Sequence, residues 1–333
     1  MNILTLYYVF SNLFHYLVII LFFDFYEIII NLSYNIKNNF LIFYIHHFTI
    51  LNIRGNKETY KKLNLMMYKK LIKFECEFNS IIYLKKLPES LKFLNCSNNK
   101  IISLDNLPNE LIKLYCSNNN IISLNKLPEN LKYLSCANNK IILLNNLPVK
   151  LLFFNCSNNN LINLDYLPNS LITLNCDNCN LISLDNLPNS LVKLKCSNNN
   201  SIVELYNLPK DLILLDCSHN NLTELFNIPQ KLLYLMICGN SKIINLDKIP
   251  KNIEFLNCSY TGIKNIPCHL ENLTQLLCSG NKFEKIQKIN KYNLVFLFCD
   301  NIDKIIIDNN STIINDLNMM IEISLYSRFR MDF

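Results

Sequence analysis

Apolar residues recur along most of this chain in a pattern that repeats about every 20 residues. The segment LKFLNCSNNKIISLDNLPNE, which begins at Leu91, is followed at Leu111 by LIKLYCSNNNIISLNKLPEN. Other copies follow at spacings of 20 or 21 residues, beginning at Leu131, Leu151, Leu171, Leu191, Leu212, Leu233, Ile253, Leu273 and Leu294. A weaker first copy begins at Leu71, so we count twelve units between about residues 71 and 310. Such a period is typical of proteins in which one structural unit stacks repeatedly.

Each unit reads L-x-x-L-x-C-x-x-N-x-I/L-x-x-L-x-x-L-P-x-x. The stretch around Leu94-Asn95-Cys96 alternates apolar and polar residues, which is the period of a β-strand. Its apolar residues are buried only if the next unit stacks on them, so we predict one parallel sheet with strands ~4.8 Å apart. We expect Pro108 and its equivalents to hold an extended return segment. A unit of 20 residues leaves little room for a helix there, so we predict turns, extended chain or short 3₁₀ segments.

Most of the 14 cysteines recur with the same period. We assign twelve of them to one inward-facing position, where a thiol serves as a small buried apolar group: Cys76, Cys96, Cys116, Cys136, Cys156, Cys176, Cys196, Cys217, Cys238, Cys258, Cys278 and Cys299. Cys176 and Cys179 form a C-x-x-C, but no second pair accompanies it. Cys268-His269 is the other arrangement of metal-ligand types. We predict neither a metal site nor a cofactor.

An asparagine follows the cysteine by three residues in most units. An amide can donate and accept at the end of a strand, so we interpret this column as a structural asparagine ladder that satisfies backbone groups of adjacent units. The column comprises Asn79 and Asn281 at its ends and, between them, Asn99, Asn119, Asn139, Asn159, Asn199 and Asn220. Cys179 takes this position in one unit. Ser241 and Thr261 take it in two later ones by our alignment.

The pattern resembles the leucine-rich repeats, whose signature is L-x-x-L-x-L-x-x-N/C-x-L, over about 240 residues. The short period and the L-P dipeptide resemble the bacterial-effector subclass, and Phe226-Asn227-Ile228-Pro229 resembles one unit of the FNIP repeats. The resemblance implies an α/β fold of the repeat class, a solenoid with a parallel concave β-sheet and a convex side without long helices. It also implies that a protein partner binds on the concave sheet and that no chemistry occurs there.

The outward strand positions are the candidate partner-binding residues. Clustered exposed aromatic side chains mark interaction surfaces because they bury a large area at low entropic cost. On this basis we predict a concave-face binding site formed by Phe93, Lys113, Tyr115, Tyr133, Phe153, Lys193 and Lys195. Nucleic-acid bases could stack on these rings too, but basic residues are too sparse over all the outward strand positions to favour that, so we predict no nucleic-acid partner.

The composition of the chain argues against an enzyme, but it does not identify a partner. The chain has 4 glycines and a formal charge of +6, which disfavours glycine-rich phosphate loops and a dedicated nucleic-acid binder. No G-x-S-x-G, H-E-x-x-H or P-loop motif is present. We therefore predict a non-enzymatic protein-interaction scaffold.

The terminal segments do not repeat. Residues 3–23 carry no charge and reach the ~20 residues that a membrane span needs, so residues 1–70 provide either a membrane anchor or a helical cap on the first repeat. We assign residues 71–310 to the solenoid and 311–333 to a C-terminal cap. Buried thiols and the lysines after residue 35 favour a cytoplasmic protein, or an anchored one whose repeats face the cytosol.

Two alternative functions remain open at this stage. The chain could be a substrate-recognition subunit of a ubiquitin ligase, with a degenerate F-box in its first 70 residues. It could also be a membrane-anchored leucine-rich-repeat receptor. Both keep the same repeat surface and differ in what the N-terminal segment does.

Overall fold

A computed structural model describes residues 49–283, 287–288, 294–299, 305–306 and 312–314. The chain divides into two compact units, Met1–Leu191 and Val192–Phe333. The predicted anchor or cap at residues 3–23 lies outside the described residues, as does most of the predicted cap at 311–333. In the part of the chain that the structure describes, no helix has the length and apolar character needed to cross a membrane.

The first unit contains a parallel sheet whose strands follow one another in chain order. Each strand has three residues, and in β2 to β7 the middle residue is buried while the outer two are half-buried. The strands are β1 (Ile50–Asn52), β2 (Lys73–Glu75), β3 (Phe93–Asn95), β4 (Lys113–Tyr115), β5 (Tyr133–Ser135), β6 (Phe153–Asn155) and β7 (Thr173–Asn175).

The second unit has the same organisation. Its described strands are β8 (Lys193–Lys195), β9 (Leu214–Asp216), β10 (Tyr234–Met236), β11 (Phe255–Asn257), β12 (Gln275–Leu277), β13 (Gln287–Lys288), β14 (Phe296–Phe298), β15 (Ile305–Ile306) and β16 (Thr312–Ile314). β13 and β15 pair with each other in a separate two-stranded sheet, and the other strands form parallel neighbours in chain order. A stack of parallel strands is therefore the architecture of both units.

The apolar positions of each repeat form the core between the sheet and the return segments. In the repeat of β3, Leu91, Leu94, Cys96 and Ile101 are completely buried. The return segments consist of turns, bends and extended chain, as the short repeat predicts. Pro108 has a second role there, because its carbonyl oxygen accepts from the Leu111 N–H at 3.2 Å and begins the turn into the next strand.

The sheet begins before the first sequence repeat. β1 pairs in parallel with β2, and Leu51, Ile53 and Asn56 show the L-x-L-x-x-N end of the repeat signature, so residues 51–56 belong to a further repeat that we did not align. A short helix, α1 (Lys57–Lys62), and a 3₁₀ turn at Leu65–Met67 connect the two strands. Tyr60 of α1 packs against the following return segment, where its hydroxyl accepts from the Lys85 N–H at 2.9 Å. Burial raises the pKa of Tyr60 to about 12.

The alignment of the β10 repeat must be corrected. Ile237, not Cys238, occupies the inward position and is completely buried, whereas Cys238 is partly exposed. Asn240, not Ser241, takes the asparagine position and donates to the Ile237 carbonyl at 2.8 Å. The repeat therefore begins at Leu232 rather than Leu233. The cysteine next to the correct position misled the alignment, because isoleucine fills the same buried space.

Candidate protein-binding surface

The outer face is the side of each sheet that carries the first and third residues of the strands, opposite the core. In the first unit, strand register places Phe93 beside Lys113, Lys113 beside Tyr133, and Tyr133 beside Phe153. Tyr115 lies in the parallel row, between Asn95 and Ser135. These five predicted residues all lie on the outer face of β3 to β6 and are half-buried.

Aromatic rings and lysines alternate along this face and contact one another. The Lys113 ammonium lies 4.5 Å from the centre of the Tyr133 ring, and the Phe93 and Tyr115 ring centres are 5.5 Å apart. Lys73 of β2 extends the row, because its ammonium lies 5.1 Å from the centre of the Phe93 ring. Cation–π and tilted ring contacts hold these side chains in defined positions. Lys73 was not among the predicted site residues, although it occupies the same repeat position.

Charge on this part of the outer face is mixed but mainly basic. Lys73 pairs with Glu75 at 3.3 Å, and both side chains are half-buried. Lys92 and Lys132, exposed just before β3 and β5, add to the positive charge. Burial raises the pKa of Tyr115, with a further contribution from Tyr133. The Tyr115 hydroxyl is therefore protonated at neutral pH and can donate a hydrogen bond.

The second unit places the other two predicted residues on β8. Register sets Lys193 beside Leu214 and Lys195 beside Asp216. Farther along, this outer face carries aromatic and apolar residues that we did not select from the sequence: Tyr234, Met236, Phe255, Leu277, Phe296 and Phe298. Tyr234 and Met236 replace Leu235 and Ile237, which the shifted alignment placed outward. The L-x-x-L-x-I-x-x-N spacing from Leu232 to Asn240 was the signal that identifies them.

The asparagines lie at the ends of the strands and join successive repeats. Each amide nitrogen donates to the carbonyl of the cysteine in its own repeat and to that of the preceding one; for Asn119 the distances are 3.0 Å to Cys116 and 3.1 Å to Cys96. The Asn119 oxygen accepts from the Ile101 N–H at 2.9 Å. Asn99, Asn139 and Asn159 make the same contacts in the first unit, and Asn220 and Asn199 donate to their own cysteine carbonyls in the second. This column positions the strands that present the outer face.

A second asparagine column has a backbone role that the sequence pattern did not reveal to us. The residue two positions after the inward cysteine has a positive φ in most repeats, for example 56° at Asn98 and 54° at Asn138. Asparagine tolerates this left-handed conformation better than most residues. Later repeats use His219, Gly239, Tyr260 and Gly280 at the same position.

Two sequence arrangements could suggest metal or redox chemistry: the C-x-x-C of Cys176 and Cys179, and the neighbouring pair Cys268-His269. Cys176 and Cys179 are completely buried, and the Cys179 thiol donates to the Cys156 carbonyl at 3.2 Å. Burial raises the pKa of Cys176. Cys268 is exposed, while the His269 ring contacts the Ile249 carbonyl oxygen at 2.9 Å. Among the described residues, no group of three or more His, Cys, Asp or Glu side chains is arranged to hold a metal ion.

Comparison with known proteins identifies the fold through structure. No protein-family model and no curated protein matches the chain. YopM from Yersinia enterocolitica WA-314 is 27% identical, with a TM-score of 0.57 over 80% of this chain and 59% of that one. The chain thus spans less than two thirds of that protein's length.

Two further solved structures agree. YopM of Yersinia pestis, a leucine-rich effector protein, is 25% identical, with a TM-score of 0.60 over 78% of this chain and 90% of that one. The internalin inlF of Listeria monocytogenes is 18% identical and supports the fold alone, with a TM-score of 0.66 over 83% of this chain and 85% of that one. The chain has a leucine-rich-repeat fold with repeats of about 20 residues, and it is structurally similar to bacterial leucine-rich-repeat effectors.

Proposed function

We propose that this protein is a non-enzymatic scaffold that binds a protein partner on the outer face of its sheet. Leucine-rich-repeat folds are typical of protein-interaction domains, and their sheets offer extended binding surfaces. The residues that we assign to the contact are Phe93, Lys113, Tyr115, Tyr133 and Phe153 in the first unit, with Lys193 and Lys195 in the second.

The observation that carries the proposal is the contacting row of rings and lysines on β2 to β6. Lys73, Phe93, Lys113 and Tyr133 are already oriented by cation–π contacts in the unbound chain. A surface that is ordered before binding loses less conformational entropy when a partner arrives. Aromatic side chains on short, hydrogen-bonded strands therefore provide the rigid anchors on which binding energy concentrates.

The same row indicates the chemistry of the partner. The rings offer apolar area, the Tyr115 hydroxyl donates a hydrogen bond, and Lys92 and Lys132 supply positive charge beside the row. A protein segment with apolar side chains and neighbouring carboxylates is complementary to this combination. The basic residues are too few, and Glu75 too close, to favour a nucleic acid.

We further propose a cytoplasmic setting, or a cytosol-facing one if the N-terminal segment is an anchor. Exposed Cys268 supports it, because a reducing compartment keeps an exposed thiol from oxidising. The buried thiols are protected by the fold itself, since burial raises the pKa of Cys96 to about 12 and keeps that thiol protonated.

Site-specific photocrosslinking tests the assigned surface. The full chain carries benzoylphenylalanine at position 115 on the outer face or at position 149, where Val149 is 75% exposed in a return segment. We expect position 115 to crosslink a defined protein from the extract of the source cells and position 149 to crosslink none. Equal crosslinking at both positions, or crosslinking from 149 alone, would place the contact elsewhere and overturn the proposal.

A further inference from the structure

Two adjacent repeats of the second unit bring a thiol and an imidazole together at the surface. The Cys238 sulfur lies 3.9 Å from the Nε2 atom of His219, and the His219 N–H donates to the Cys238 carbonyl at 2.6 Å. His219 is exposed and Cys238 is partly exposed, so the pair is open to solvent. The two residues are 19 positions apart in the chain, so no local sequence motif indicates their contact.

Three departures from the repeat pattern produce this pair. Most repeats of the first unit carry an asparagine at the position of His219, as at Asn138. Most carry a serine at the position of Cys238, as at Ser157. Gly239 is the equivalent of His219 in the next repeat, and a Cβ atom there would lie 2.5 Å from the His219 Nδ1 atom. The absence of a side chain at Gly239 therefore admits the ring and leaves its Nε2 atom within reach of the sulfur.

A later pair of repeats shows that the fold does not require the thiol or the imidazole. The Tyr260 ring packs over Gly280 in the same manner, since a Cβ atom at Gly280 would lie 2.3 Å from a Tyr260 ring carbon. Ser279 is there the equivalent of Cys238. That arrangement keeps the ring and the glycine beneath it, but it contains neither a sulfur nor a ring nitrogen.

The separation of the two atoms fits a shared metal ion. Bonds from a metal to thiolate sulfur and to imidazole nitrogen are about 2.3 Å and about 2.0 Å long. An ion bonded to both atoms therefore holds them about 3.6 Å apart at a tetrahedral angle and about 4.3 Å apart when the bonds are collinear. The observed 3.9 Å lies between these limits, so one ion can bridge Cys238 and His219 without a change in their separation.

The number and type of the ligands select the ion. Zn²⁺ takes three or four protein ligands, but no group of three or more His, Cys, Asp or Glu side chains is arranged for a metal ion in the part of the chain that the structure describes. Cu(I) is a soft ion that prefers thiolate and accepts imidazole, and it is stable with two ligands. We propose that Cys238 Sγ and His219 Nε2 together bind one Cu(I) ion.

Binding replaces the thiol proton with the ion, and the proton leaves to solvent. Burial and the nearby Asp216 carboxylate raise the pKa of Cys238, so a free thiolate is disfavoured there. A thiolate and Cu(I) together carry no net charge, so burial and the carboxylate oppose the bound thiolate much less than the free one. Lys195, beside Asp216 on β8, offsets part of the charge of that carboxylate.

Anaerobic titration of the full chain with Cu(I) held by a coloured chelator, bicinchoninate, tests the site. All chains carry Cys268→Ser, which removes an exposed thiol outside the pair. We expect this parent to take one equivalent of Cu(I) from the chelator, and Cys238→Ser and His219→Tyr each to weaken binding at least tenfold. Both variants copy the arrangement of Ser279 and Tyr260, so we expect both to fold, and far-ultraviolet circular dichroism checks this.

Two further measurements identify the ligands. X-ray absorption at the copper edge should show one sulfur and one nitrogen neighbour, and bound Cu(I) should slow the alkylation of Cys238 by iodoacetamide. A parent that takes no copper overturns the proposal. Equal affinity in the parent and Cys238→Ser overturns it too, because the ion then binds elsewhere. Equal affinity in the parent and His219→Tyr does the same, because the thiol then binds the ion without the imidazole.

Discussion

The side-chain amide of Asn139 donates a hydrogen bond to the Cys116 carbonyl oxygen of the preceding repeat, at 3.1 Å. The same nitrogen donates to the Cys136 carbonyl at 2.9 Å, and the Asn139 oxygen accepts from the Ile121 N–H at 3.0 Å. The Ala137 carbonyl also accepts from this nitrogen, at 3.2 Å, so one side chain contacts four backbone groups in two repeats. Because strand carbonyls and the next segment's N–H would otherwise be buried without partners, the amide couples each repeat to its neighbour.

Asn139→Ala removes all four of these contacts. We expect the variant to fold but to lose about 1–3 kcal/mol of unfolding free energy, because the freed backbone groups remain partly buried. Urea denaturation monitored by circular dichroism measures the loss. Asn145→Ala, at an exposed position in the same repeat, is the control and changes stability by less than about 0.5 kcal/mol. Equal stability of parent and Asn139→Ala would contradict the assigned role.

Cys179 interrupts the ladder of the first unit, so restoring the amide there stabilises the chain. The thiol reaches the Cys156 carbonyl at 3.2 Å, but it offers no amide oxygen to the N–H of buried Leu161. Cys179→Asn has nearly the same volume and supplies both groups. We expect a gain of about 1 kcal/mol in unfolding free energy. Cys179→Ala supplies neither and is less stable than the parent; an Asn variant no more stable than the Ala variant would refute this explanation.

The stack of buried thiols makes stability fall in alkali. Burial raises the pKa of Cys96 from 9.0 to about 12, and burial likewise raises the pKa of Cys136 and Cys217. As pH rises above about 9, the unfolded chain releases these protons first. The stabilising effect of each thiol is therefore fully present below pH 9 and is lost as pH rises toward the folded pKa, by on the order of 1 kcal/mol per pH unit.

The slope of unfolding free energy against pH between 9.5 and about 10.5 checks this linkage. Cys96→Ala removes one buried thiol, so its slope should be shallower than that of the parent by about one proton. Cys268→Ala removes an exposed thiol and serves as the matched control, with an unchanged slope. If the parent and Cys96→Ala curves run parallel, buried thiols do not govern the alkaline transition.

The corrected β10 register predicts which thiols react in the folded protein. Cys268 is exposed and Cys238 is partly exposed, with its sulfur 3.9 Å from the His219 Nε2 atom. Iodoacetamide at pH 8 should therefore label Cys268 first and Cys238 next, while completely buried Cys217 and Cys258 stay protected until the chain unfolds. Peptide mass spectrometry resolves the order. Protection of Cys238 equal to that of Cys217 would return it to the core and reject the register.

The repeat pattern was sufficient to predict the parallel strands, the buried leucines and the turns and extended chain of the described return segments. Each of these depends on the alternation and spacing of side chains, which the sequence displays directly. β1 was missed although Leu51, Ile53 and Asn56 carry the end of the same signature. The rest of that unit departs from the pattern, because α1 and a 3₁₀ turn replace the extended return segment.

The outer face was harder to predict because its residues obey no periodic constraint. Register alone identified Tyr133 and Phe153 as neighbours, but the contact of Lys73 with Phe93 depends on side-chain conformation. At β10 two adjacent residues, Ile237 and Cys238, were both acceptable in the core by size and polarity. The hydrogen bond from Asn240 to the Ile237 carbonyl, which needs an exact three-residue spacing, decides between them.

The proposal that a protein partner binds on the outer face is tested most directly by comparing how much partner the parent and a double variant capture. Tyr133→Ala with Phe153→Ala removes two half-buried rings from the outer face, and the buried leucines beneath it stay in place. Val149→Ala with Tyr166→Ala removes two residues that are 75% and 71% exposed in return segments, and serves as the control. We predict that the parent and control capture the same protein equally and that the Tyr133/Phe153 variant captures none while retaining its melting temperature. Equal capture by all three would contradict binding on this face.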